Sequence, residues 1–412
     1  MKKKWFYLES YVYSKNSNNT LLIYNTLSKK SIKFNNPNIL KFYMELIKQQ
    51  GIIEIQDNEL EQEDIKEFVQ KIRNTFCGDL IVIDSNQTKP LSLRNHPIIM
   101  KDFRKKVKEN SLDFSKNVLE YLYEISIHIN SECDVSNCDI CNYAIKQVDY
   151  CFKHEGNTQL DFSNVEYILD SVDNLPNFRK IKILGGNIFK YDKINSVIAK
   201  SKGLKTNVEF YINLHQLDFS QLEKFNSKNI TVKVLVQGGS SYDYLIKNIA
   251  AFNKQNCNLS FNILIDNESQ IDVLNKFEHL LSHLNYNVIP IYSGNNKLFF
   301  EKNVYLTEDD ILELKPELKT IHTNQILNSN FFGKLFITPN GNVYENLNGN
   351  CIGQINSSNL AEIVYYNILN GKYWFKKRSS SHDCKNCNYS DICPPISNYE
   401  EFFEKNNLCH IK

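Results

Sequence analysis

YLYEISIHINSECDVSNCDIC (residues 121–141) joins a strand pattern directly to three closely spaced cysteines. Ile125, Ile127 and Ile129 alternate with other residues, which predicts a strand that buries one face. Five further strand patterns follow, with helical patterns between them: KIKILGG (180–186), NVEFYINL (207–214), ITVKVLVQGG (230–239), NLSFNILID (258–266) and NYNVIPIY (285–292). Strands that alternate with helices predict a parallel α/β domain, either an open sheet or a partial barrel.

In such folds the functional site lies at the carboxyl ends of the strands. Two sets of residues occupy these ends: the thiols Cys133, Cys138, Cys141 and Cys151 after the first strand, and Gly185, Gly186 and Asn187 after the second. Clustered thiols indicate a metal site, and paired glycines let backbone approach a ligand closely. A plain turn from strand to helix is the other interpretation of the glycines.

The C-terminal tail contains a second group of thiols. Its members are Cys384, Cys387 and Cys393, spaced C-x2-C-x5-C within CKNCNYSDICPP (384–395), and Cys409. Four soft ligands in one short segment predict either a zinc ion or a [4Fe-4S] cluster. Zinc sites more often pair two C-x2-C hooks, and the tail has one, so the spacing favours the cluster and leaves zinc as the alternative.

Composition excludes several classes of function. The 412 residues are 42% hydrophobic, and 48 basic residues against 47 acidic ones leave no basic field for a nucleic-acid partner. No apolar run is long enough for a membrane span, and Glu9 and Ser10 interrupt the apolar run of a signal peptide. We therefore expect a cytoplasmic chain, in which the 11 cysteines favour metal ligation over disulfides.

The remaining patterns predict the domain organisation. WFYLESYVY (5–13), LLIYNT (21–26) and SIKF (31–34) predict a β-meander, and apolar periodicities at 39–47 and 65–76 predict helices after it. The predicted divisions are a small domain at 1–84, a linker at 85–118, the α/β domain at 119–296, a connecting segment at 297–329 and a cysteine-rich domain at 330–412. The last opens with a hairpin that turns at Asn340 and Gly341. The basic run 376–378 predicts a solvated turn.

These features together resemble the radical SAM enzymes with SPASM domains that modify ribosomally made peptides. More narrowly, YNTLSKKSI (24–32), GGNIF (185–189) and the tail resemble the pseudo-radical-SAM proteins with SPASM domains of peptide-maturation systems. The resemblance implies a partial (β/α)6 TIM-type barrel, preceded by a small α+β precursor-peptide-recognition domain and followed by a SPASM-like cluster-binding domain. It also implies two partners, a precursor peptide and a radical SAM maturase.

Four departures from the family pattern concern the cofactor positions. Four residues, rather than three, separate Cys133 and Cys138, and Asn187 stands where a glutamate commonly receives the amino group of S-adenosylmethionine. Ser397 replaces a tail cysteine, and VYEN (343–346) lacks the cysteine often found after the hairpin. The remaining tail thiols, with Cys351 as a spare, suffice for one auxiliary cluster.

Three hypotheses follow. The first is a non-catalytic protein that binds a precursor peptide or partner maturase and carries one auxiliary iron-sulfur cluster. The second is an active maturase, in which Cys133, Cys138 and Cys141 ligate a second [4Fe-4S] cluster while residues 185–187 contact S-adenosylmethionine; Cys151, as a fourth ligand, would close that cluster. The third is a zinc-stabilised binding protein. No catalytic residue is assigned. Exposed strand edges in the N-terminal domain are predicted to accept a peptide strand.

Overall fold

The computed structural model describes residues 2–84, 117–134, 139–150 and 157–411, together with Lys105 and Glu109. Its strands are β1 (Lys2–Leu8), β2 (Val12–Ser17), β3 (Thr20–Asn25), β4 (Ser31–Phe34), β5 (Ile52–Ile55), β6 (Gly78–Asp84), β7 (Glu124–His128), β8 (Lys180–Leu184), β9 (Asn207–Asn213), β10 (Ile230–Gln237), β11 (Asn258–Ile265), β12 (Tyr286–Pro290), β13 (Lys334–Ile337), β14 (Asn342–Tyr344) and β15 (Gly353–Gln354). Its α-helices are α1 (Pro37–Lys48), α2 (Asp57–Leu60), α3 (Glu63–Asn74), α4 (Asp139–Gln147), α5 (Phe162–Val172), α6 (Ile194–Lys202), α7 (Phe219–Leu222), α8 (Gly239–Phe252), α9 (Glu268–Lys276), α10 (Glu278–Leu281), α11 (Lys297–Val304), α12 (Glu308–Glu313), α13 (Leu318–Ile326), α14 (Leu360–Asn370) and α15 (Asn398–Phe402).

The largest sheet among the described residues has the strand order β12-β11-β10-β9-β8-β7-β13-β14-β15. Strands β7 to β12 run parallel and neighbour one another in chain order. Such sequential winding is typical of a β/α barrel, whereas a doubly wound sheet reverses its order at a switch point. All six predicted strands are thus confirmed, and their order favours the barrel type.

The two faces of this sheet differ in chemistry. Ile125, Ile127, Ile181 and Ile183 are fully buried in a continuous apolar core with helices α5, α6, α8 and α9. Alternate residues of a strand point to opposite faces, so Lys182 lies on the other side. That side holds a smaller apolar cluster and several charged groups, and it contributes to the candidate site.

The N-terminal segment forms two small sheets, not the single meander that was predicted. Strand β1 pairs with β5 and β6, while β2, β3 and β4 form a separate antiparallel sheet. The pattern WFYLESYVY was wrong as one strand, because the polar residues Glu9 and Ser10 break it into β1 and β2. Strand β2 also continues through the polar residues 14–17, which lie between the first two predicted strand patterns.

These two sheets contact different parts of the molecule. Phe6, Leu21 and Phe68 belong to a core within residues 2–84, to which both sheets and helices α1 and α3 contribute. On its other side, the β2-β3-β4 sheet packs Leu22 and Tyr24 against the C-terminal tail. The N-terminal segment is therefore joined to the tail through a buried apolar contact.

The C-terminal region extends the large sheet. Strand β13 lies parallel to β7 and turns at Asn340 and Gly341 into the antiparallel strand β14, as predicted. Gly341 has a φ of +80°, which glycine adopts without strain. The predicted linker lies outside the described residues, apart from Lys105, Glu109 and the residues from 117 onward. Across the described chain, no helix has both the length and the hydropathy needed to cross a membrane.

Candidate functional site

Gly185 and Gly186 let the loop after β7 pack directly against the end of β8. A Cβ atom on Gly186 would stand 2.1 Å from the carbonyl oxygen of Glu132, and one on Gly185 would stand 2.1 Å from Oδ1 of Asn130. The Gly186 amide donates to the Asn130 carbonyl at 3.0 Å. The residues that approach these glycines closely are Asn130 and Glu132 of the chain's own loop.

Asn187 uses both ends of its side-chain amide within this loop. Its Nδ2 donates to the Asp134 carboxylate at 2.6 Å, and its Oδ1 accepts from the Phe189 amide at 3.0 Å. Lys190 pairs with Asp134 at 2.5 Å and with Glu132 at 2.9 Å. Hydrogen bonds from Lys190 and Asn187 lower the pKa of Asp134. The Asn187 side chain thus links the loop after β7, through Asp134, to the residues that follow β8.

The structure describes two of the four thiols that were predicted at this strand end. Cys133 is half-buried, with Nε2 of Gln216 at 3.6 Å from its sulfur. Cys141 lies on α4 and is buried in the smaller apolar cluster. Cys138 and Cys151 lie outside the described residues, so the ligand set predicted here stays a prediction.

Helix α4 and the residues after it cover the side of the sheet opposite the main core. Ala144 and Tyr150 are buried there in a cluster that also contains Leu184, Tyr211, Leu235, Leu264 and Ile291. Gln147 donates to and accepts from the backbone of Tyr292, each at 2.9 Å. Apolar side chains of α4 and of the residues after it therefore cover part of this face, and Gln147 holds the end of the helix there.

A buried ionic cluster lies on the same face. Nζ of Lys182 is 2.5 Å from Glu124 and 2.6 Å from Asp149. Burial by itself would lower the pKa of Lys182, but the two carboxylates raise it above its usual value. Burial alone would raise the pKa of Asp149, but the Lys182 ammonium lowers it below its usual value. We did not predict this cluster, although the alternation in KIKIL (180–184) sets Lys182 opposite its isoleucines.

His128 lies on the same face and is fully buried. Burial lowers its pKa to about 4, so its imidazole is neutral at neutral pH. A buried neutral imidazole is consistent with a structural role.

Three of the four tail thiols line a single cavity. Cys384, Cys387 and Cys409 contribute to a cavity of about 330 Å³, and Cys393 is buried nearby. Burial raises the pKa of Cys393 to about 12, against an opposing effect of Arg378. As placed, no three His, Cys, Asp or Glu side chains of the described chain are close enough together to hold a metal ion. The donor chemistry nonetheless fits a soft metal, because metal binding draws its ligands together and releases their protons.

Arg378 organises the tail, and its prediction as part of a solvated turn was wrong. The side chain is buried and forms a two-pronged salt bridge with Glu400, with nitrogen-oxygen distances of 2.6 and 2.9 Å. It also donates to the carbonyls of Pro394 and Asn406. A planar guanidinium can reach several segments at once. A charge run in the sequence gives no sign of this burial.

The positions that lack expected cysteines have structural hydrogen bonds instead. Ser397 caps α15, since its amide donates to Glu400 at 2.8 Å and its hydroxyl accepts from the Glu400 amide at 3.4 Å. Within VYEN, the buried carboxylate of Glu345 accepts from the amides of Lys372 at 2.6 Å and Tyr373 at 3.0 Å. Cys351 is exposed, and its thiol faces the carbonyl of Gly353 at 3.0 Å.

No protein-family model and no curated protein matches the sequence. Solved structures do match. SuiB from Streptococcus suis aligns over 98% of this chain and 100% of its own, with 14% identity and a TM-score of 0.51. SuiB bound to the precursor peptide SuiA aligns over 98% of each chain, with 16% identity and a TM-score of 0.49. A structure of anSMEcpe with bound AdoMet aligns over 69% of this chain and 92% of its own, with 14% identity and a TM-score of 0.45.

The fold is therefore of the radical SAM type, with its β/α sheet flanked by N-terminal and C-terminal segments. The alignment with SuiB covers nearly the whole chain. The resemblance that the sequence indicated, to radical SAM proteins with SPASM domains, is confirmed for the fold.

Proposed function

We propose that this chain is a non-catalytic member of the radical SAM and SPASM group that acts in the maturation of a ribosomally made peptide. It binds the precursor peptide or a partner maturase, and its tail thiols hold one auxiliary iron-sulfur cluster. Residues 1–84 act as the precursor-recognition domain, and residues 330–412 act as the SPASM-like domain.

One observation carries the non-catalytic part of this proposal. Both polar ends of the Asn187 side chain are bonded within the protein, to Asp134 and to the Phe189 amide. A neutral amide lacks the charge that would pair with the amino group of S-adenosylmethionine, and a cofactor would have to displace these bonds. The glycines beside it are in contact with the loop of Asn130 and Glu132, which further supports a strand end closed to this cofactor.

A cofactor-cleavage assay tests this part. Full-length protein, reconstituted anaerobically with iron and sulfide, is mixed with S-adenosylmethionine and dithionite. We expect about four iron atoms per chain and no 5′-deoxyadenosine above a protein-free control. Cleavage that disappears in Cys138→Ala would reject the proposal in favour of an active maturase. One zinc per chain without visible absorption would instead identify a zinc-stabilised protein.

The N-terminal segment offers a place for a peptide strand. Strand β6 has one neighbour, β1, among the described strands, and Val82 on it is exposed. A cavity of about 660 Å³ lies where α3 ends and β6 begins, and Tyr7, Tyr11 and Phe76 contribute to its walls. An edge strand beside an aromatic cavity supports peptide binding through main-chain hydrogen bonds with one anchored side chain. SuiB, whose fold this chain shares, has been solved with precursor peptide SuiA.

Peptide binding is tested by titration. The genes adjacent to this chain's gene are first searched for a short precursor reading frame. A fluorescent synthetic copy of the peptide found there is then titrated against the full-length protein. We expect saturable binding that Phe76→Ala weakens about tenfold, as for other exposed aromatic anchors. Leu298→Ala, which alters an exposed side chain on α11, is the matched control and should bind normally. An absence of saturable binding would contradict the recognition role.

A further inference from the structure

The tail loop between Cys384 and Cys393 is fastened to strands of the N-terminal segment. Ser17 Oγ donates to the Asn386 carbonyl at 2.5 Å, and the Tyr13 hydroxyl donates to the Asn388 carbonyl at 3.2 Å. In return, the Asn388 side chain donates to the Thr20 carbonyl at 3.0 Å. The hairpin of β2 and β3 therefore holds the segment that carries three of the four thiols.

Apolar packing supports these hydrogen bonds. Leu22 and Tyr24 on β3 are fully buried and belong to one cluster with Tyr389, Ile392 and Cys393. Burial of two large side chains stabilises this contact through the hydrophobic effect. The hairpin is thus part of the packing around the thiols.

The same hairpin forms part of the wall of the thiol cavity. Asn18 and Thr20 line it together with Cys384, Cys387 and Cys409. Asn18 and Asn19 have φ values of 49° and 56°, which define a two-residue turn of the type that closes hairpins tightly. Lys33 on β4 also lines the cavity, and its ammonium pairs with Glu308.

We propose that the β2-β3 hairpin supports metal binding at the tail site. It restrains the loop 384–393 while metal binding draws the thiols together, and its turn forms one side of the cavity that would take the metal. This inference rests on the proposed binding of an iron-sulfur cluster by the tail. Residues that orient metal ligands without binding the metal themselves typically change metal affinity by 10- to 100-fold. The metal and the hairpin both bind the loop 384–393. Binding of either one therefore stabilises binding of the other.

Cluster release measures the first consequence. The full-length protein is reconstituted with iron and sulfide, and the transfer of iron to a chelator is followed by absorbance. The double variant Tyr13→Phe, Ser17→Ala removes two hydroxyl donors to the loop and should release iron about tenfold faster. Tyr191→Phe is the matched control, because that hydroxyl donates to the Leu160 carbonyl rather than to the tail loop. Equal release from the double variant and wild type would overturn the proposal.

Hydrogen exchange measures the second consequence. Loading with iron and sulfide should slow amide exchange most in β2 and β3 and less in β1 and β5. Equal exchange in β2 and β3 with and without the cluster would also overturn the proposal. The proposed cluster fails separately if the wild type retains no iron, or if Cys384→Ser with Cys387→Ser retains all of it. Either result rejects the hairpin's role as well, whereas normal loading with unaltered release rejects the hairpin's role alone.

Discussion

At the residue scale, Asn187 and Glu345 have comparable roles. The resemblance predicts a cofactor-binding group at position 187 and another within VYEN (343–346). In the structure, Asn187 and Glu345 are instead bonded to neighbouring protein groups. Restoring glutamate at position 187 would set a second carboxylate beside Asp134, with Lys190 as the nearest cation. Like charges at this distance repel, so that single substitution would not recreate a cofactor site.

His128 gives the protein a measurable acid sensitivity. Its pKa is about 4 in the folded protein and 6.5 in the unfolded chain, so the unfolded state binds the proton more readily. Its contribution to stability is complete above pH 6.5 and declines as the pH falls toward 4. We expect the free energy of unfolding to fall by about 2 kcal/mol between pH 7 and pH 5 through this residue.

Urea unfolding at these two pH values tests the His128 prediction. His128→Gln cannot gain the proton and should lose this part of the pH dependence. The exposed His279→Gln is the control and should behave as wild type. An identical pH dependence in His128→Gln would show that His128 is not the responsible group.

Arg378→Ala should destabilise the tail strongly. It leaves the buried carboxylate of Glu400 without its partner, which typically costs about 3–5 kcal/mol. Limited proteolysis should then cleave the region 384–411 much faster than in wild type. Lys377→Ala changes the adjacent, half-exposed residue and should leave cleavage unchanged. Equal protection in Arg378→Ala would show that the salt bridge does not hold the tail.

At the element scale, the parallel strands could be predicted and the N-terminal sheets could not. Strands β7 to β11 bury isoleucine and valine on one face, and that alternation is visible in the sequence. Strand β5 has only four residues, IIEI, and β6 follows α3 directly, so neither gave a distinct signal. Residues 14–17 are polar, so the sequence alone does not mark them as a strand. Their strand structure depends on pairing with β3 and on contacts with the distant tail.

The same limit applies to the candidate site. Cysteine spacing singled out the tail thiols, three of which line one cavity, and their role as metal ligands stays a prediction. The roles of Arg378 and of the β2-β3 hairpin arise from contacts between segments that are far apart in the chain. Such contacts depend on the final packing, and one sequence gives no direct signal for them.

The contact between the ends of β7 and β8 can be tested with one methyl group. Gly186→Ala places a Cβ atom against the Glu132 carbonyl, and backbone must move to admit it. We expect a loss of about 1–3 kcal/mol in the free energy of unfolding. Gly203→Ala is the control, since its nearest neighbour would lie at 3.4 Å, and it should change stability by no more than about 0.5 kcal/mol. Equal stability of Gly186→Ala and wild type would contradict the described packing.

At the scale of the whole molecule, the N-terminal segment and the tail form one packed unit. Tyr13, Leu22 and Tyr24 lie between them and are buried. An effect on the tail can therefore reach the proposed peptide site through β2 and β3, which also contribute to the core beneath β1 and β6. A change at one of these sites has a continuous physical route to the other.

Residues 1–84, produced alone, should expose this apolar surface. We expect the fragment to self-associate and to bind a hydrophobic dye, because Leu22 and Tyr24 lose their cover. The variant Leu22→Lys, Tyr24→Lys of the same fragment should stay monomeric and bind less dye. Size-exclusion chromatography with light scattering distinguishes these outcomes. A monomeric wild-type fragment without dye binding would show that the tail contact is dispensable.

The pairing of β7 with β13 has a consequence for synthesis on the ribosome. Glu124 and Lys334, which lie side by side in these strands, are more than two hundred residues apart in the chain. At roughly 5–20 residues per second, one edge of β7 waits about 10–40 s for its partner. During that time an apolar strand edge is open to pairing with other nascent chains. A chaperone that shields this edge would therefore raise the yield of folded protein, most of all at high expression.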